Sequence, residues 1–233
     1  MGGPQALFIL GTGPGVGKTL VACGLLAALK AQGTTAAGIK PVETGCAHGE
    51  DHDLIGRDGT RLRQAGLPIP PLVASPYRFA PPLSPAVAAE QAGLLITMED
   101  LVQAVQAARA AIDFGRIVVE GPDGPLCPVA QDGATADLAA RLTAAVLVVG
   151  PDREGADGQV LLTLEACERR GLDVRGVLLS RRDADRGRLR NEETIAARGQ
   201  VTVFETLPTL EATDVHAVAQ HLEAHRVVDA LLR

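Results

Sequence analysis

Continuous apolar runs recur along the chain, each ending in Gly, Pro or a charged or polar residue: ALFIL (6–10), AAGIK (36–40), RIVVE (116–120), AAVLVVG (144–150), RGVLLS (175–180) and VTVFE (201–205). Their apolarity is unbroken rather than alternating, which predicts strands buried on both faces of a parallel sheet. Helical periodicity fills the intervals, over Thr19–Gln32, Met98–Phe114, Thr135–Thr143, Gly158–Arg170 and Ala212–Leu232. Strand–helix alternation with right-handed crossovers predicts an α/β fold, a doubly wound, mostly parallel sheet flanked by helices. Ligands of such folds bind beyond the carboxyl ends of the strands. The interval from 41 to 97 breaks the rhythm. It holds the acidic stretch HGEDHD and then LPIPPLVASPYRFAPPLSP, where seven prolines (68, 70, 71, 76, 81, 82 and 85) exclude a long helix. Because it carries Tyr77 and Phe79 between prolines, residues from about 66 to 90 are expected to form a structured insertion in one domain of residues 1–233.

Composition narrows the function classes. Hydrophobic residues make up 46% of the chain, enough for a real core, while aromatic residues are 2%, so that core is Ala, Val and Leu packing. So few aromatics argue against a stacking platform for single-stranded nucleic acid. A net charge of −6 supplies no basic footprint for DNA or an anionic membrane. The cysteines Cys23, Cys46, Cys127 and Cys167 have no metal-ligand or Cys-x-x-Cys spacing and read as buried thiols of a reducing, cytoplasmic protein. The N-terminal MGGPQALFILGTG lacks a basic segment and a cleavage site, and reads as a first strand.

Candidate chemistry begins where ALFIL runs into GTGPGVGKTL (11–20). Glycines let backbone N–H groups turn around phosphate oxygens, and the helix N-terminus adds its dipole. Lys18 supplies charge to the β- and γ-phosphates and the Thr19 hydroxyl a ligand for Mg²⁺. The first glycine stands one residue earlier than the usual phosphate-loop spacing requires, and Pro14 removes a donor from the loop. RIVVE ends in Glu120, an acid at the end of a buried strand and the usual second anchor for Mg²⁺. AAGIK ends in Lys40, a further cation at the same sheet edge.

GTGPGVGKT (11–19), KPVETG (40–45), DHDL (51–54), SPYRFAPPLSPAVAAE (75–90), VEG (119–121) and AAVLVVG (144–150), in that order and spacing, resemble the dethiobiotin synthetases, a family of P-loop ATPases. The resemblance implies an ATP- and Mg²⁺-dependent enzyme, a homodimer, that closes a cyclic urea on 7,8-diaminononanoate with CO₂. It implies ATP contacts at Gly13, Pro14, Gly15, Val16, Gly17, Lys18, Thr19, Ser180, Pro208 and Glu211. Mg²⁺ falls to Thr19, Asp53 and Glu120, with Asp51 a competitor for the Asp53 role and His52 read as exposed. The acceptor falls to Thr12, Lys40, Thr44, Ser84 and Gly121, and catalysis to Lys18 and Lys40.

Three segments depart from the family pattern. Pro122-Asp123 stands where the family carries Ala-Gly. Asp152, Glu154 and Asp157 surround the start of a helix expected to receive the acceptor's carboxylate; Asp157 reads as its N-cap and Arg153 as the carboxylate's partner. Ser180 replaces an adenine-reading Asn, while LPTLE (207–211) matches the second adenine-side loop. Three readings stay open on the residues alone: dethiobiotin synthesis, a related ligase or kinase with another acceptor, and a non-catalytic nucleotide switch.

Overall fold

The structure, a computed structural model, describes residues 5–49, 53–112, 115–181, 190–211 and 214–233. Its first half runs β1 (Ala6–Gly11), α1 (Lys18–Ala31), β2 (Ala36–Ile39), β3 (Val42–Thr44), β4 (Ala47–His48), β5 (Leu54–Ile55), α2 (Arg57–Ala65), α3 (Pro71–Ala74), β6 (Tyr77–Phe79), α4 (Pro85–Gln91) and α5 (Met98–Ala110). The second half continues β7 (Arg116–Glu120), β8 (Pro128–Ala130), β9 (Gly133–Ala134), α6 (Thr135–Arg141), β10 (Ala145–Pro151), α7 (Ala156–Glu168), β11 (Asp173–Ser180), α8 (Asn191–Gly199), α9 (Val215–Ala224) and α10 (Val227–Leu232).

The main sheet has strand order β11-β10-β1-β7-β2, and every pairing in it is parallel. Successive residues of β1 face opposite layers, as a pleated strand requires. Phe8 and Leu10 enter the core that includes Met98, Leu101, Leu138 and Ile195. Leu7 and Ile9 enter the core built with Leu25, Leu29, Val218 and Leu231. Burial of β1 on both faces is why its sequence shows no alternation. Register then sets the site. Ile9 lies opposite Glu120, and Ile39 opposite Val119, so Lys40 leaves β2 beside Glu120 at the carboxyl edge.

Five of the six sequence-predicted strands form this sheet. The sixth, VTVFE, does not become a strand: the segment makes isolated bridges, Val203 to Val177 and, beyond it, Leu207 to Ser180. Its Phe204 is buried against the second core, so side-chain burial rather than a ladder accounts for its apolarity. The predicted helix over 212–232 is broken at Arg226, whose φ of 57° separates α9 from α10. The Pro-rich stretch folds as α3, β6 and α4, with Pro71 and Pro85 at the first helical positions, where a missing N–H costs nothing. Two helices had no clear apolar signature, α2 and α8. Among the described residues no helix is long and apolar enough to cross a membrane. All four cysteines are free thiols; Cys127 is half-buried and the others buried.

Helix α1, which carries the phosphate-loop lysine, is clamped to α9 at Gly24. A Cβ there would overlap Val218 Cγ1 and lie 2.8 Å from Val218 Cβ. Alanine is favoured over glycine in a helix by about 1 kcal/mol, but overpacking costs about 1–3 kcal/mol. Gly24→Ala is therefore expected to lower unfolding free energy in urea, whereas in a Val218→Ala background the same change should raise it. Equal signs in the two backgrounds would show that the α1–α9 contact is not close-packed here.

Candidate active site

The loop joining β1 to α1 turns through Gly15 at φ 70° and Gly17 at φ 101°, left-handed conformations that glycine adopts without strain. Gly17 is the N-cap of α1, and a Cβ on it would come within 3.1 Å of Ser180 Oγ. Lys18 bends back across the loop and donates from Nζ to the Gly13 carbonyl at 2.7 Å. That fold-back needs Gly11: a Cβ there would stand 2.7 Å from Lys18 Cδ and 2.8 Å from Nζ. The early glycine that broke the usual spacing is thus the seat of the lysine. Burial, with Lys40 nearby, pulls the Lys18 ammonium down to about 8.

Beside the loop, three acids and bases meet at the sheet edge. Lys40 Nζ donates to Glu120 Oε1 at 2.6 Å and to Asp58 Oδ2 at 3.0 Å. The Thr19 hydroxyl donates to the same Glu120 oxygen at 2.9 Å. Glu120 is 1% exposed, and its Oε2 has no partner among the described residues. Burial opposes the Lys40 charge, but Glu120 and Asp58 outweigh it and hold the ammonium above its ordinary value. Burial raises the Glu120 carboxyl against the pull of Lys40. Burial would raise Asp58 too, yet Lys40 more than offsets this and keeps it below the usual carboxylate range.

A cleft of about 590 Å³ opens over this cluster. Lys18, Thr19, Lys40, Thr44, Asp58 and Glu120 line it, as do Ser180, Pro208 and Glu211. Pro14, Gly15 and Gly17 line it from the loop, and Pro122 and Asp123 also border it. A second cleft, of about 900 Å³ and mainly apolar, lies against the loop at Thr12, Gly13, Pro14 and Val16 and extends to Arg153, Leu162 and Arg170. The Thr12 hydroxyl oxygen is buried and has no partner among the described residues.

Several expected site residues lie elsewhere. Asp53 is exposed and borders a separate small hollow with Arg63 and Arg78, while Asp58, five residues on, reaches Lys40. Asp51 and His52 lie outside the described residues. Gly121 is packed against Phe8 and Thr135, and its amide donates to the Ile9 carbonyl at 3.1 Å, so it has no N–H to offer a ligand. Ser84 stands at the N-cap position of α4, without a side-chain capping bond, and lines neither cleft. The N-cap of α7 is Gly155, φ 74°, not Asp157, which sits in the first turn. Asp152 is not an anion-repelling group either: Arg181 and Asn191 engage its carboxylate at 2.6 and 3.0 Å. Asp58 was missed because α2 is polar, with only Gly59 and Leu62 buried; the legible signal was an acid in the first turn after a glycine, in GRDG.

A parallel sheet whose central strand feeds a glycine loop, a Lys-Thr pair at a helix start, and an acid on the neighbouring strand define a P-loop ATPase. Residues 5–217 match a family model described as an AAA domain. The ParA family ATPase from Chlorobium tepidum TLS shares the fold, with a TM-score of 0.53 at 15% identity over 99% of this chain and 98% of that one. The ATP-dependent dethiobiotin synthetase BioD of Anaeromyxobacter dehalogenans (strain 2CP-C) is 43% identical over 178 residues, 76% of this chain and 77% of the relative. That of Aromatoleum aromaticum is 34% identical over 223 residues, 94% and 97% of the two chains. The chain belongs to the ATP-dependent dethiobiotin synthetase family.

Burial holds the Lys18 ammonium down to about 8, and a bound triphosphate favours its charged form and so raises its pKa. Nucleotide binding at pH 9 should therefore take up about one proton, falling toward zero by pH 6. Calorimetry in buffers of different ionisation enthalpy measures this; no uptake at pH 9 would contradict the assignment.

Proposed function

We propose that the two clefts divide an ATP-dependent ring closure between them: the first holds ATP and the reacting carbon, the second the body of the acceptor. The chain is a cyclo-ligase that forms dethiobiotin in biotin biosynthesis, and the finer assignments here are 7,8-diaminononanoate and CO₂ as co-substrates with ADP and phosphate as products. The supporting observation is Lys40, a buried cation set between Glu120 and Asp58 and next to Thr19. A nucleotide switch has no use for a cation held there.

The triphosphate lies along Gly13–Thr19, with Lys18 released from the Gly13 carbonyl to its oxygens. The base lies between Ser180 and the Pro208–Glu211 segment. Thr19, Asp58 and Glu120 are the residues that would hold Mg²⁺. The donors fit: they are all oxygens, and one of them, Glu120 Oε2, is buried with no partner among the described residues. Among the described residues no group of three or more His, Cys, Asp or Glu side chains is gathered. Two carboxylates and a hydroxyl are the sparse set of an ion that keeps waters and phosphate oxygens as ligands. Bound there, Mg²⁺ supplies charge neutralisation at the β- and γ-phosphates.

One acceptor amine attacks CO₂ and loses a proton, forming a carbamate. A carbamate oxygen attacks the γ-phosphorus, the bond to ADP breaks, and a carbamic–phosphoric anhydride forms. The second amine attacks the anhydride carbon, a second proton leaves, phosphate departs and the ring closes. Lys40, kept charged by its neighbours, is placed to stabilise carbamate and transferring phosphoryl oxygens together. Thr44 borders the same cleft. Thr12 faces the acceptor from the loop, its apolar chain follows the second cleft, and Arg153 receives its carboxylate. Leu126 and Leu162, 60% and 68% exposed at this cleft, form the face we assign to a homodimer. We place the enzyme in the cytoplasm.

Purified protein with ATP, Mg²⁺ and bicarbonate should release phosphate only when diaminononanoate is present. Lys40→Ala is expected to lower kcat by about 10²-fold or more while nucleotide still binds, and Arg153→Ala to raise KM for the diamine but not for ATP. Phosphate release indifferent to the diamine would refute the proposal.

A further inference from the structure

Glu43 sits between Val42 and Thr44 in the Lys40–Gly45 segment, and the ring-closing chemistry uses no carboxylate at that position. It is nevertheless buried, 6% exposed, where an acid is costly unless its oxygens are fully engaged. They are engaged by the start of α2 and by Ser75, which follows α3. Glu43 Oε1 accepts the Asp58 N–H at 2.7 Å, and Oε2 accepts the Gly59 N–H at 3.1 Å and the Ser75 hydroxyl at 3.3 Å. Helix α2 opens on Gly56, an N-cap with no side chain to satisfy its first amides, so Glu43 performs the capping from β3. The approach depends on Gly56, because a Cβ there would overlap the Glu43 carboxylate.

We propose that Glu43 is a positioning residue for the metal site: it pins the backbone of Asp58 so that the Asp58 carboxylate faces Thr19 and Glu120. This rests on the reading of Asp58 as a Mg²⁺ ligand. The segment grips α2 at two points. Lys40 binds the Asp58 side chain, and Glu43 binds the Asp58 and Gly59 amides. A helix start held at its amides has one orientation, whereas one held by its carboxylate alone swings when Lys40 is drawn toward a phosphate. Glu43 thus separates the two duties: Lys40 is free to leave Asp58 for substrate without Asp58 leaving the metal.

The test is Mn²⁺ titration, followed by electron paramagnetic resonance, of the protein bound to β,γ-imido-ATP, alongside nucleotide affinity measured in EDTA. Asp58→Asn, Glu43→Gln and Gly56→Ala attack the ligand, the clamp and the clamp's approach. Each is expected to weaken Mn²⁺ by about tenfold, with metal-free nucleotide affinity unchanged. If Asp58→Asn alone weakens Mn²⁺, Glu43 is not a positioning residue although the reading of Asp58 stands. If Asp58→Asn binds Mn²⁺ like the unaltered chain, that reading falls first and the proposal with it. If Glu43→Gln and Gly56→Ala either fail to fold or lose metal-free nucleotide affinity in parallel, the role of Glu43 is merely structural and the proposal is overturned.

Discussion

A buried carboxylate, with one oxygen satisfied and the other without a partner among the described residues, organises this molecule. Removing an ion from water costs several kcal/mol even after relaxation, and Glu120 is 1% exposed at the end of a strand covered on both faces. Lys40 and Thr19 both reach its Oε1, and Oε2 has no partner among the described residues. The ion pair is accordingly poor as a device for stability, since an apolar pair of similar volume would pack without the desolvation cost. It makes sense as an arrangement completed by a ligand. A cation at Oε2 satisfies Glu120 independently of Lys40, and Lys40 is then available to substrate oxygens.

The sheet delivers these groups because its register leaves no alternative. With Ile9 opposite Glu120 and Ile39 opposite Val119, three adjacent strands end together, and Thr19 is the second residue of the helix that β1 feeds. The fourth member comes from outside the sheet. Asp58 belongs to α2, and its position is set by backbone amides that Glu43 holds rather than by strand pairing. The site is therefore as rigid as the sheet on one side and as secure as one carboxylate clamp on the other.

That division also explains what could be seen in the sequence. The five strands were legible because continuous burial writes continuous apolarity, and the phosphate loop because its glycines and Lys-Thr pair answer to phosphate geometry. Lys40 and Glu120 were legible as charges ending buried strands. Asp58 was not, since α2 carries only Leu62 and Ala65 as apolar side chains and the family resemblance pointed to Asp53 for the metal. Gly121 followed a motif whose amide the sheet already uses. VTVFE read as a strand because it is apolar, but its burial rests on Phe204 and its pairing on the single bridge from Val203 to Val177. The acids near α7 looked hostile to an anion because sequence order does not show that Asp152 is spoken for by Arg181 and Asn191.

The most direct measurement is anomalous diffraction from crystals grown with Mn²⁺ and β,γ-imido-ATP. The account predicts an anomalous peak at coordination distance, about 2.0–2.3 Å, from Thr19 Oγ1, a carboxylate oxygen of Asp58 and Glu120 Oε2, with Lys40 Nζ turned toward the γ-phosphate. A peak beside Asp53, or a metal bound while Glu120 Oε2 stays unligated and Lys40 keeps both its carboxylates, would contradict it.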